Sequence, residues 1–175
     1  MIWIIVAIIF GFLFSLAYAS ASGAPWVPTF KRDIKRLAKL LELKPGDKFY
    51  ELGCGDGRVC FALAKQTKIK AVGIELSLLQ YLIGKLRQWL SCSTRVQIKY
   101  GNVFNQDLSE ADVIYLFLMP EVYQKIRTKF ETELKDGARV VSYVWPIPGW
   151  EPTQVDKHLK APNLFLYKIR KTPNA

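Results

Sequence analysis

Histidine is almost missing from this chain: His158 is the single imidazole in 175 residues. Three cysteines, Cys54, Cys60 and Cys92, form an odd set without metal-ligand spacing. These scarcities exclude zinc sites built from Cys/His clusters and leave no disulfide framework to read. No metal is expected. The lone imidazole is expected on the surface or in packing, and the three thiols as small buried packing residues in a reducing compartment. Charge is missing from one region, since no acidic or basic residue precedes Lys31. Internal repeats and low-complexity tracts are absent too, which excludes a repeat architecture.

What fills the charge-free region is apolar. Met1 to about Gly23 is dominated by Ile, Phe, Leu, Val and Ala, close to the roughly 20 residues that cross a bilayer as a helix. The competing reading is a cleaved signal peptide, with small-residue sites at Ala17-Tyr18-Ala19 and Ala19-Ser20-Ala21. No Lys or Arg precedes the run, however, and Lys31, Arg32, Lys35, Arg36 and Lys39 follow it, where positive charge retains a flank on the cytoplasmic side. The expected organisation is therefore a single-pass transmembrane anchor over residues 1–22 and a Pro-rich connector over 23–30. A domain over 31–175 follows on the cytoplasmic side, or the matrix side in a mitochondrion. The net charge of +10 invites a nucleic-acid partner. The basic residues are spread over several segments without an RNA-binding signature, and an anionic membrane surface accounts for them equally well. Nucleic acid is not the expected partner.

Beyond the connector, apolar periodicity alternates between two types. Phe30, Ile34, Leu37, Ala38 and Leu41 mark an amphipathic helix that Pro45-Gly46 ends. Strands are expected at 48–52, 70–75, 95–100, 112–118 and 139–144, with closing strands at 155–159 and 164–169. Helices are expected at 58–66, through Leu78, Leu79, Leu82, Leu86 and Leu90, and at 121–134. Such alternation implies an α/β fold with a mostly parallel sheet and right-handed crossovers. The apolar run DVIYLFL, 112–118, suits a central strand covered on both faces.

Chemistry concentrates in Tyr50-Glu51-Leu52-Gly53-Cys54-Gly55-Asp56-Gly57-Arg58, which leaves a strand, passes three alternating glycines and opens a helix. Glycines there permit a tight turn and close approach of a ligand to the backbone. Glu75 ends the next strand about 20 residues on, where a carboxylate accepts ribose hydroxyls. A dinucleotide fingerprint keeps its turn uncharged so that a pyrophosphate can sit on the helix N-terminus. Glu51 and Asp56 put carboxylates into this one, which disfavours NAD and suits a ligand carrying a sulfonium and an ammonium.

Through E-L-G-C-G-D-G, the acidic strand end Glu75 and G-N-V at 101–103, the sequence resembles the Rossmann-like class I S-adenosylmethionine-dependent methyltransferases. The resemblance implies S-adenosylmethionine as cofactor. It implies further that Glu51, Gly53, Gly55, Asp56 and Gly57 hold the methionine end, Glu75-Leu76 the ribose, and Asn102-Val103 the adenine. Asn102 stands where an aspartate is common, but an amide oxygen still accepts from the adenine amino group. A closer likeness, through GAPWVPT, YELGCGDGR, VGIELS, ADVIYLFLMPE and DGARVVSYVWPIPGWEP, is to one small group. It contains the ATP synthase c-subunit and adenine nucleotide translocase lysine methyltransferases and related archaeal protein lysine methyltransferases. The mitochondrial branch is similar in having a hydrophobic segment before the domain. Phe30 stands where a proline often follows VPT.

That likeness implies methylation of a protein lysine ε-amine, with a membrane protein or a basic protein near the bilayer as partner. Amine methylation needs alignment and a neutral amine more than a strong base, so the missing His/Asp pair is no objection. Trp26, Glu121 and Trp145 are candidates to face the substrate, aromatic walls guiding a lysine stem, though tryptophans also simply cover cores. Leu118-Met119-Pro120-Glu121 replaces the Asn/Asp-Pro-Pro-aromatic pattern of base methylation. The alternatives are a methyltransferase for a small or lipid-like acceptor, and a cofactor-binding protein without turnover.

Overall fold

Successive side chains of a strand point to opposite faces of its sheet. Over Lys48–Leu52 (β1) this sends Phe49 into one apolar layer and Tyr50 and Leu52 into the other. Val113–Leu116 (β4) divides in the same way, Val113 and Tyr115 against Ile114 and Leu116. Strands buried on both faces need helices on both sides. A computed structural model describes residues 1–21 and 27–171 and shows that arrangement.

The elements are α1 Ile2–Ala21, α2 Lys31–Leu41, β1, α3 Arg58–Gln66, β2 Lys70–Glu75, α4 Leu78–Ser91, β3 Val96–Tyr100, β4, α5 Tyr123–Glu133, β5 Arg139–Tyr143, β6 Gln154–His158 and β7 Ala161–Lys168. Single 3₁₀ turns occupy 103–105 and 120–122. The sheet order is β3-β2-β1-β4-β5-β7-β6. Its first five strands are parallel, and β7 pairs antiparallel with both β5 and β6. The chain leaves β1 for β2 on one side while β4 lies on the other, so the strand order reverses at the carboxyl end of β1. That switch point is where ligands bind in open α/β sheets.

Two expectations are corrected. Phe30 is the residue before α2 and is 65% exposed, so the buried stripe of that helix is Ile34, Leu37, Leu40 and Leu41. Cys54 and Cys60 are buried, but Cys92 is exposed just past α4. The leucine stripe of α4 does not enter the core: Leu82, Leu86 and Leu90 face outward, and the buried residues are Gln80 and Gly84. The segment read as an anchor is the charge-free helix α1. Among the described residues no helix is long and apolar enough to cross a membrane, the side chains at positions 8 and 19–21 lying outside the description.

Helix α2 is held over the sheet by a buried polar cluster. Tyr143 Oη donates to Asp33 Oδ2 at 2.9 Å, Arg36 Nη1 donates to Asp33 Oδ1 at 2.9 Å, and Arg32 closes on the same carboxylate. Arg36 also reaches Asp156 on β6 and the carbonyl of Pro162 on β7. Burial pushes the Asp33 carboxyl up, but hydrogen bonds from Arg32, Arg36 and Tyr143 outweigh it and hold it below the usual carboxylate range. Stability from this group is therefore present above the unfolded pKa and lost as pH falls through the lower folded value. Asp33→Ala is expected to cost about 3 kcal/mol near neutral pH, because it strands buried partners. In denaturant melts that difference should shrink below about pH 4.

Candidate cofactor and active site

At the switch point β1 runs into the glycine turn. Gly53, Gly55 and Gly57 all take left-handed backbone angles, φ +75°, +55° and +74°, a region that other residues enter only with strain. The turn is fastened to the neighbouring strand, with the N–H groups of Gly53 and Cys54 both donating to the Ile74 carbonyl. Gly73 on β2 makes room for it, since a Cβ there would lie 2.6 Å from Cys54 Sγ.

A cleft opens beside this turn. Glu51, Gly53, Cys54, Gly55, Asp56, Glu75 and Ser77 line its floor. Leu16 of α1, the Val27-Pro28-Thr29 segment and Phe117 close its sides. Next to it, Gly53, Leu76, Asn102, Val103, Phe104, Leu118 and Val122 form a smaller, mainly apolar slot. Of the residues expected to hold cofactor, all except Gly57 line one pocket or the other. Gly57 instead precedes α3 and packs against it, where a Cβ would meet Ile98 at 2.8 Å.

Each carboxylate is set differently. Glu75 accepts the N–H of Gly55 and of Ser77, each at 2.7 Å, which aims it across the cleft. Burial raises its pKa against those backbone donors. Glu51 sits on the same face of β1 as Phe49, under α3, and accepts from the Cys60 N–H at 3.3 Å and the Cys60 thiol at 3.1 Å. Burial pushes Glu51 up to about 8; Cys60 works against the rise, and the charges of Asp56 and Glu75 add to it. Glu51 therefore carries its proton at neutral pH until a cation arrives. Asp56 does not present the bare charge expected of it. Arg58 bonds both of its oxygens, at 2.9 and 3.0 Å, and Arg87 of α4 reaches Oδ2 at 2.9 Å. Burial raises Asp56, but Arg58 and Arg87 outweigh it and hold the carboxyl low. With Asp56 paired and Glu51 protonated, the electrostatic case against a pyrophosphate is carried by Glu75.

These groups fit an adenosyl ligand with a cationic amino-acid tail. Ser77 Oγ is buried at the cleft without a hydrogen-bond partner among the described residues, a donor and acceptor ready for a ligand hydroxyl. The slot beside Leu76 and Val103 is flat, apolar and suited to a purine. Asn102 Oδ1 already accepts the Phe104 N–H at 3.0 Å, so the amide stiffens the slot wall and keeps one lone pair for an adenine amino group.

The substrate-facing candidates fare less well. Trp26 lies outside the described residues. Glu121, in the 3₁₀ turn after β4, is exposed, as is Trp145 after β5, and neither lines the cleft. Thr29 and Phe117 line the cleft instead. Thr29 Oγ1 is 3.1 Å from Tyr115 Oη, and Phe117 stacks edge-on against Tyr143 at 4.9 Å between centroids. The VPT and DVIYLFL segments contained both residues, but only the fold sets them side by side. Cys54 and Cys60, with thiols pushed up by burial, are inert packing groups.

The Glu51 shift has a signed consequence. Its stabilisation of the unliganded fold is full below the unfolded carboxylate pKa and is lost as pH rises through about 8. Binding a cation against Glu51 releases its proton, so calorimetric affinity for S-adenosylmethionine should rise between about pH 6 and 9. Glu51→Gln should bind about tenfold to a hundredfold more weakly and lose that slope. An unchanged slope in the variant would place the titrating group elsewhere.

Residues 51–154 match the ANTKMT methyltransferase domain family. A protein-lysine N-methyltransferase of Saccharolobus islandicus is 37% identical over 140 residues, covering 76% of this chain and 84% of that protein. The adenine nucleotide translocase lysine N-methyltransferase of Mus musculus is 34% identical over 134 residues. That match covers 75% of this chain but 57% of the mouse protein, so the chain spans little more than half of that relative. Among solved structures, an RNA methyltransferase from Salinibacter ruber in complex with S-adenosyl-L-homocysteine superposes with TM-score 0.79 at 30% identity, over 85% of this chain and 97% of that one. The family match begins at Glu51 itself and spans the glycine turn, Glu75 and the slot lined by Asn102 and Val103; the chain belongs to the ANTKMT methyltransferase family, as an S-adenosylmethionine-dependent methyltransferase of the class I fold.

Proposed function

We propose that this enzyme methylates a protein lysine ε-amine from a membrane-anchored position, its partner being a membrane protein or a basic protein beside the bilayer. The carrying observation is that Val27, Pro28, Thr29 and Phe117 line the same cleft as Glu51 and Glu75. A lysine stem suits such walls, and desolvation of its head lowers the amine pKa toward the neutral form that reacts. When bound, S-adenosylmethionine supplies a methyl group on an already activated sulfonium. The residues contribute alignment: Glu75 and Ser77 take the ribose, Glu51 the ammonium, Leu76 and Val103 the purine, and the Thr29–Tyr115 contact fixes the wall of the cleft. The names of the archaeal and mouse relatives support a lysine acceptor.

Anchoring rests on the sequence of residues 1–22, charge-free and followed by five basic residues between 31 and 39. That charge bias favours the cytoplasmic side for the domain, or the matrix side in a mitochondrion. A second acceptor class is favoured by one observation, the name of the Salinibacter structure as an RNA methyltransferase. Against it stands Leu118-Met119-Pro120-Glu121 after β4.

Full-length protein incubated with radiolabelled S-adenosylmethionine and native membranes is expected to label protein, with methyl-lysine in the hydrolysate. Label found in RNA or in the lipid extract would replace the lysine reading. Cofactor binding without any transfer would leave a non-catalytic binder.

A further inference from the structure

Helix α4 is built inside out. Its inward face carries Gln80 and Gly84, both buried, and Gln88, whose Oε1 accepts the Ile98 N–H of β3 at 3.0 Å. Gly84 lets the helix lie close to the sheet, since a Cβ there would stand 3.2 Å from Ile98 Cγ2. These contacts fix the rotation of the helix about its axis. The opposite face is Leu78, Leu82, Ile83, Leu86, Trp89 and Leu90, with Leu86, Trp89 and Leu90 exposed at 55, 74 and 66%. A contiguous apolar face of this kind marks an interaction site.

We infer that the outer face of α4 lies in the surface of an anionic bilayer. Two observations choose lipid as the occupant. The first is charge: residues 76–106 contain no acidic residue and, apart from Arg87, which is engaged by Asp56, carry Lys85, Arg95 and Lys99; basic side chains near an apolar face with a tryptophan suit the headgroup region. The second is continuity. The charge-free helix α1 packs against α4, with the Leu78 N–H donating to Ser15 Oγ at 2.7 Å, and Ile5, Phe10 and Phe14 remain exposed on it. The two helices thus present one apolar surface. This deepens the membrane reading proposed above and rests on it for the identity of the bilayer. Because α4 starts three residues beyond Glu75, the contact brings the cleft down to headgroup level, where juxtamembrane lysines lie.

The test uses full-length protein in phosphatidylcholine/phosphatidylglycerol vesicles, with nitroxide labels at Leu86→Cys or Leu90→Cys in a Cys92→Ser background. Labels at Ile9→Cys and Lys157→Cys report the anchor and an aqueous reference on β6. Labels on α4 are expected to gain oxygen accessibility and lose most accessibility to a water-soluble nickel chelate, unlike Lys157→Cys. Leu86→Glu with Trp89→Glu should return the label at Leu90→Cys to water, with affinity for S-adenosylmethionine unchanged. Labels on α4 as aqueous as the reference would overturn the inference, as would labels shielded from both relaxants, which would mean a protein partner or a second copy. Aqueous α4 labels with methyl-lysine still formed would remove this contact and leave the lysine reading standing; lipid contact without methyl-lysine would do the reverse.

Discussion

A carboxyl group taken out of water resists ionisation, and the site is organised around one held in that condition. Glu51 lies at the end of the central strand, covered by α3 and the glycine turn, and burial raises its pKa to about 8. A fixed anion there would oppose folding; a protonated acid is tolerated and becomes an anion when a cation compensates it. The left-handed glycines, the small Gly73 beneath the turn and the Cys60 donors all hold this group in place. A cation bound against Glu51 would thus displace its proton.

Around this centre, polarity is handled by pairing across long sequence distances. Asp56 is shared between Arg58 and Arg87, which ties the cofactor turn to α4. Asp33 gathers Arg32, Arg36 and Tyr143, which ties α2 to the far side of the sheet. The Val27-Pro28-Thr29 segment that walls the cleft directly precedes α2, so the Asp33 cluster also holds one side of the active site. The cleft is bounded by residues as far apart along the chain as Leu16 of α1 and Phe117 at the end of β4.

Much of this was legible in the sequence. The boundaries of β1, α3 and β2 fall where period and glycine placement put them, because strand, tight turn and helix each leave a local signature. The cleft beside β1 was legible for the same reason, since most of its lining lies on one continuous turn and the next strand end. What escaped depends on tertiary partners. Asp56 reads as a bare charge until Arg87, 31 residues away, is brought beside it. Glu51 reads as an ordinary carboxylate until its burial is known. A leucine stripe at helical spacing signals a helix but not which way the stripe faces, and in α4 Gly84 and Gln88 decided that. Thr29 and Phe117 meet only through β4. Trp145 and Glu121 have residue types suited to a substrate site, but their loops carry them off the cleft.

The bond from Ile98 to Gln88 has a further consequence, for the margin of the sheet. β3 is an edge strand, and an edge with free amide groups invites a foreign strand to add to it. A side-chain amide from α4 occupies one of those donors, and Lys99 adds a charge beside it. At the other margin, β6 carries a register shift between Asp156 and His158, and Arg36 takes the Asp156 carbonyl. A side chain thus occupies an exposed backbone group at each border of the sheet, which leaves fewer positions at which a foreign strand can add.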